Sequence, residues 1–208
     1  MGRRHQSQWV EGPIATATSR PRSAQLGFER EHRVDIYRKS ESGLYVFDAP
    51  FIAFPDHEGA PPNNKGLEAV AVLDDGVLVI AEGAFPNGAT GFVIGADGER
   101  RRFMHTSEAG FAVTDAARLG DRLFLLERAY SRLIGVRARI HGGAVPPADD
   151  PRYDAAPLAR LGGVTIVDNM EGLAVRTGAD GETLLYVLSD DNHSDRQKTI
   201  LLMFEIAD

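Results

Sequence analysis

The sequence predicts an all-β chain, on three observations. Helical periodicity is hard to find along its 208 residues. Short apolar runs rich in Val, Leu, Ile and Phe stand between tight-turn dipeptides instead, which is the pattern of short strands joined by hairpins. Thirdly, one strand–turn–strand pattern recurs along the chain, with acids at fixed places in it.

The elements follow in chain order. Residues 1–27, "MGRRHQSQWVEGPIATATSRPRSAQLG", are polar and rich in Arg, Ser and Pro, and read as a poorly ordered leader. Arg3-Arg4 invites a twin-arginine reading, but no hydrophobic segment follows to make an export signal. The domain begins at residue 28. "LGFEREHRVDIYR" reads as a second strand ending on Glu29 and then a third, with the first strand missing. "GLYVFDA" and "FIAF" continue as strands. The first complete unit, "NKGLEAVAVLDDGVLVIAEG" (64–83), is a hairpin turning at Asp74-Asp75-Gly76. Strands at 90–96 and 100–106 follow it, joined at Asp97-Gly98. The second, "AVTDAARLGDRLFLLERAYS" (112–131), turns at Gly120-Asp121 and has room for strands at 132–140 and 157–161. The stretch 141–160 between them reads as a long loop. The third, "DNMEGLAVRTGADGETLLYVLSDDN" (168–192), turns at Asp180-Gly181, and "TILLMFEIAD" supplies one further strand. Asp74, Asp75, Asp97 and Asp121 are assigned to the turns themselves.

Each complete unit starts with an acid (Glu68, Asp115, Glu171) and ends its second, more apolar strand on another (Glu82, Glu127, Asp190). A unit of about 50 residues holding about four short strands is a propeller blade. Three blades plus fragments cannot close a ring of the usual four to eight. The chain is then either truncated at its N-terminus or an open arc with exposed strand edges.

Composition narrows the chemistry. The net charge of −7 argues against binding nucleic acid or an anionic membrane, and suits cation binding. No apolar run approaches the roughly 20 residues of a membrane span. There is no cysteine, so disulfides and thiolate metal sites are excluded, and a soft metal is disfavoured.

In a propeller the innermost strand of each blade lines the central channel. Glu68, Asp115 and Glu171 should therefore converge on one channel mouth, joined there by Glu82, Glu127 and Asp190. Gathered carboxylates repel unless a cation intervenes. A hard cation resolves this economically, and calcium would find neutral oxygens on Asn64, Asn169 and Asn192 as well. The predicted metal ligands are Glu68, Asp115, Asn169 and Glu171, with Glu82, Glu127 and Asp190 as catalytic acids. Arg30, Lys65 and Arg128 stand beside acids and are the predicted anchors for a phosphate. Turn capping or pairing with Arg is the alternative for any single acid. His193 could serve as acid or base, although a turn histidine is more often solvated. The other histidines, His105 and His141 among them, show no metal-ligand spacing, and no serine stands in a G-x-S-x-G elbow.

"NKGLEAVAVLDDGVLVIAEG", "TDAARLGDRLFLLERAYS" and "DNMEGLAV…LLYVLSDDNHSDRQKTILLMFEI" together resemble the bacterial esterase-like, phytase-like propeller family, over 28–208. The resemblance implies a six-bladed propeller, an exported protein, and hydrolysis of a small anionic ester. The expected function is a calcium-assisted phosphoesterase or esterase with its site at the acidic channel mouth. The alternative is a non-catalytic propeller that binds a ligand or partner, or an inactive remnant. The sequence departs from the family pattern in lacking a signal and a first blade, in its unrelated leader, and in His193 where the pattern shows an aromatic.

Overall fold

A computed structural model describes residues 8–11, 23–28, 33–53, 67–85, 88–147, 152–163 and 166–207. Every regular element among them is a strand. The first sheet is a meander of β1 (Gln8–Glu11), β2 (Ser23–Phe28), β3 (Arg33–Lys39) and β4 (Tyr45–Ala53). The second holds β5 (Leu67–Leu73), β6 (Gly76–Phe85), β7 (Gly88–Gly95) and β8 (Arg100–Thr106) in sequence order. The third is β9 (Ala112–Leu119), β10 (Arg122–Ser131), β11 (Gly135–Ala144) and β13 (Ala156–Leu161). Between the last two, β12 (Arg152–Tyr153) leaves its own blade and adds in parallel to β8 of the blade before. The fourth sheet has three strands, β14 (Met170–Thr177), β15 (Thr183–Ser189) and β16 (Leu201–Ile206).

The order inside each blade is the one the repeat predicts, and the architecture is a propeller arc. Innermost strands lie side by side, β1 against β5, β5 against β9 and β9 against β14. The sheets do not close into a ring among the described residues. Three details differ from expectation. "GLYVFDA" and "FIAF", expected as separate strands, form the single strand β4. The strand with no partner upstream has one, because Gln8–Glu11, inside the expected leader, pairs antiparallel with Ala24–Gly27. The stretch 141–160 is also not all loop: β11 runs on to Ala144, and β12 reaches across to the neighbouring blade. Tyr153 explains that excursion. Its ring is buried against Phe103 and its hydroxyl donates to the Leu123 carbonyl. A lone aromatic in a polar, Pro-rich stretch carries little strand signal.

Second strands are continuous apolar runs because they are covered on both faces. On β10, Leu123, Phe124, Leu125 and Leu126 are all fully buried. Leu123 and Leu125 pack with Leu78, Ile80 and Phe103 of the second blade. Phe124 and Leu126 pack with Met170, Leu173 and Leu185 of the fourth. The period of two sends alternate side chains to opposite neighbours. Likewise Val77 and Val79 of β6 meet Val34 of the first blade, while Leu78 and Ile80 look the other way. Packing leaves little room in places. A Cβ on Gly91 would collide with the buried Phe103 ring.

Candidate functional site

The alternation that builds the core also sorts the acids. Leu123, Leu125 and Glu127 share the face of β10 turned to the second blade, and Leu126 and Arg128 the face turned to the fourth. The predicted acids of the third blade therefore diverge. Glu127 points between blades two and three, whereas Asp115, opposite Leu126 in the ladder, reaches toward blade four.

Glu127 is fully buried and has acquired partners from two blades. One carboxylate oxygen contacts His105 Nε2 at 3.0 Å and accepts from the Ser107 hydroxyl. The other accepts from Arg139 Nε at 2.9 Å and lies 3.3 Å from His141 Nε2. Arg139 also pairs with Glu108, and its guanidinium lies 3.8 Å from the centre of the Phe111 ring. Burial works against the Glu127 charge. The hydrogen bonds from His105 and Ser107, with the charges of His105 and Arg139, outweigh it and hold the carboxyl at about 2. Burial pushes the His141 imidazole below its ordinary value, against the pull of Glu127. This arrangement ties two blades together through buried ions. Four of its members, His105, Ser107, Arg139 and His141, escape sequence reasoning. The available signal was their spacing: His105 and Ser107, and Arg139 and His141, stand two apart along the chain, hence on one face each.

Asp115, Asn169 and Glu171 stay near the inner strands. Asp115 is buried; its two oxygens accept from the backbone N–H groups of Ala116 at 2.8 Å and Leu173 at 2.6 Å. It thus joins β9 to β14, as does Thr114, whose hydroxyl donates to the Met170 carbonyl at 3.1 Å. Burial pushes the Asp115 carboxyl up to about 8, further than those two N–H groups can pull it down. Asn169 is buried and donates from its side-chain amide to Glu171 at 2.5 Å. Glu171 faces Arg128 at 3.5 Å, and both side chains keep about a quarter of their surface in solvent. The Nε–H of Arg128 is buried with no acceptor among the described residues. Glu68 is half-buried on β5, one inner strand further along.

The acids around the last hairpin fix loops. Asp168 accepts from the backbone N–H of Asn169 and of Lys198, both at 2.9 Å. Half-buried Asp190 donates its N–H to the Asn169 carbonyl and accepts from the N–H of Asn192. Asp191 accepts from the N–H of His193 and from the Thr199 hydroxyl. These are Asx turns, and they bend the chain through positive φ at Asn192 and His193. The segments "DNMEG" and "SDDN" therefore meet and hold one another. Glu82 lies on β6 with its side chain outside the described part, and Arg30, Asn64 and Lys65 lie outside the described residues.

Calcium takes six to eight oxygens. Among the described residues no group of three or more acids or histidines is placed to hold a metal. Asp115 spends both oxygens on backbone, and Glu171 is shared between an amide and a guanidinium. In this arrangement these residues do not fit a calcium ion.

The family model for phytase-like proteins, "esterase-like activity of phytase", matches residues 15–193. No curated protein matches the sequence. Among solved structures, the chain is similar to an α-L-arabinofuranosidase from Clostridium thermocellum (TM-score 0.55, 10% identity, 96% of this chain and 67% of that one). It is also similar to an endo-arabinase from Bacteroides thetaiotaomicron (TM-score 0.54, 11% identity, 96% and 74%). A third likeness is to the hemagglutinin-neuraminidase ectodomain of parainfluenza virus 5 (TM-score 0.51, 6% identity, 88% and 52%). At these identities the likeness is one of fold.

Proposed function

Because the chain belongs to the phytase-like family, we propose that it is a propeller hydrolase acting on a small anionic ester, with Arg128 and Glu171 at its centre. The observation that carries this reading is the state of Arg128. It is part-exposed beside Glu171, yet its Nε–H is buried and lacks an acceptor among the described residues. The Arg128 side chain keeps about a quarter of its surface in solvent beside Glu171, where a ligand oxygen can reach it. A phosphoryl or carboxyl oxygen is the acceptor a guanidinium matches best.

In this reading Arg128 holds the anionic end of the ester and draws charge from the reacting centre. Glu171 takes a proton from water as the water oxygen bonds to phosphorus or carbonyl carbon. The ester oxygen leaves with its electron pair and is protonated by solvent. Asn169 orients Glu171 through its amide. A metal requirement is read from the same assay, run with chelator and with added calcium.

The test uses p-nitrophenyl phosphate and p-nitrophenyl acetate with the purified chain. Turnover is expected, and Arg128→Ala should raise KM for the phosphate about tenfold while changing KM for the neutral acetate little. Turnover lost in chelator and restored by calcium adds the metal to the reading. Turnover indifferent to both assigns the reaction to these side chains alone. Absence of turnover on both esters removes the proposal.

The second reading, a propeller that binds without catalysis, has its own support. The carboxylates of Asp115 and Glu127 are consumed by contacts within the protein. Saturable binding of an unreactive phosphonate, abolished in Arg128→Ala and unaccompanied by turnover, would favour it.

A further inference from the structure

The strand starts are one end of the arc; the hairpin turns are the other. At the turn end a cleft of about 600 Å³ opens between the second and third blades. Its floor is apolar, formed by Leu73, Val93 and Val145, all packed on the core shared by those blades. Its rim consists of turns: Asp74 and Asp75 after β5, Asp97 and Glu99 between β7 and β8, and Asp121 after β9. Arg101 and Arg118 are the basic residues lining it, so five carboxylates face two guanidiniums.

Those charges are unevenly committed. Arg118 grips Asp74 with two hydrogen bonds, at 2.9 and 2.6 Å, and holds that carboxyl below its ordinary value. The pair bridges the two blades across the cleft. Asp97 accepts from the Glu99 N–H within its own turn. At Asp121 the carbonyl accepts from the Val145 N–H and fixes the back wall. The carboxylates of Asp75, Glu99 and Asp121 are exposed on the rim and are held by no hydrogen bond among the described residues, and the charge of Asp121 also acts on Arg118.

The geometry points to a binding site for an aliphatic primary amine, with the alkyl chain on the Leu73–Val93–Val145 floor and the ammonium among the exposed rim acids Asp75, Glu99 and Asp121. Charge complementarity selects this occupant: an apolar chain alone leaves the acids uncompensated, and an anion meets net repulsion. An alkylammonium satisfies floor and rim together, as long basic side chains do when the stem is buried and the head stays wet. The same chemistry is offered by a free diamine and by a lysine side chain. The site lies at the opposite end of the strands from Arg128 and Glu171, and it does not depend on the chain being a hydrolase.

Calorimetric titration of the purified chain with cadaverine, Nα-acetyl-lysine methylamide and hexanoate tests it. Saturable binding of either amine, weakening as salt is raised, with none for hexanoate, is expected. Binding of cadaverine alone assigns the site to diamines; binding of the lysine amide assigns it to a lysine side chain. The double variant Asp75→Asn/Asp121→Asn should bind about tenfold more weakly, with Asp195→Asn, an exposed acid elsewhere, unchanged. Should the double variant fold poorly, the salt titration of the unaltered chain decides alone. No saturable amine binding, salt-independent binding, equal binding of hexanoate, or equal loss in both variants overturns the inference.

Discussion

Replacing Glu127 with Gln tests the blade-joining cluster, because it keeps the shape and removes the charge. The magnitude follows from the carboxyl's displacement from an ordinary 4.5 to about 2. That is about 2.5 pH units, or about 3 kcal/mol in favour of the charged form in the folded state. The substitution also leaves Arg139 with Glu108 as its remaining acid partner and changes the group that His105 Nε2 faces. Breaking one side of a buried pair costs about 3–5 kcal/mol. Each kcal/mol lowers Tm by about 2–4 °C in a domain of this size, so Tm should fall by roughly 6–20 °C at pH 7. The pH dependence is the sharper readout. A depressed carboxyl contributes stability that is fully present above the unfolded pKa and lost as pH falls through the folded one. The stability gap between the wild-type chain and Glu127→Gln should therefore be constant above about pH 5. It should then narrow as pH falls from about 4.5 toward 2. Urea denaturation across that range measures it. A difference below about 1 kcal/mol at pH 7, or one that ignores pH, would refute the reasoning.

Three further outcomes follow from the same contacts. Asp115 has the opposite sign: its folded pKa is raised, so stability should decline as pH rises from about 4 to about 8. Asp115→Asn should flatten that decline in thermal melts. Gly91→Ala places a methyl against the Phe103 ring and should cost about 1–3 kcal/mol in urea denaturation. Arg118→Ala removes a bidentate pair whose acid is 77% exposed, and should leave the urea midpoint nearly unchanged beside the shift in Gly91→Ala.

Much of the architecture was legible in the sequence because propeller blades repeat. The hairpins at Asp74-Asp75-Gly76, Gly120-Asp121 and Asp180-Gly181 announce themselves by turn chemistry, and the doubly covered second strands by unbroken apolar runs. β12 was not legible, since two residues held by one buried tyrosine leave no periodic trace. Convergence of the acids was legible only in part. Glu68, Asp115 and Glu171 do fall on three adjacent inner strands. Glu127 falls on the face of Leu123 and Leu125 by the strand's period of two, and Asp115, opposite Leu126 in the unshifted part of the ladder, falls on the other; which neighbouring blade each face meets is not given by residue spacing. The polar cluster around Glu127 escaped for a related reason. His105, Arg139 and His141 come from two blades and are neighbours only after the blades stack.

The central claim is that the carboxylate of Glu171, held between Asn169 and Arg128, performs ester hydrolysis. Its most direct test is kcat/KM on p-nitrophenyl phosphate for the wild-type chain and Glu171→Gln, with Glu205→Gln on the exposed face of β16 as control. The account predicts a loss of about a hundredfold or more in Glu171→Gln and none in Glu205→Gln. Activity within about twofold of wild type in a folded Glu171→Gln chain would contradict it.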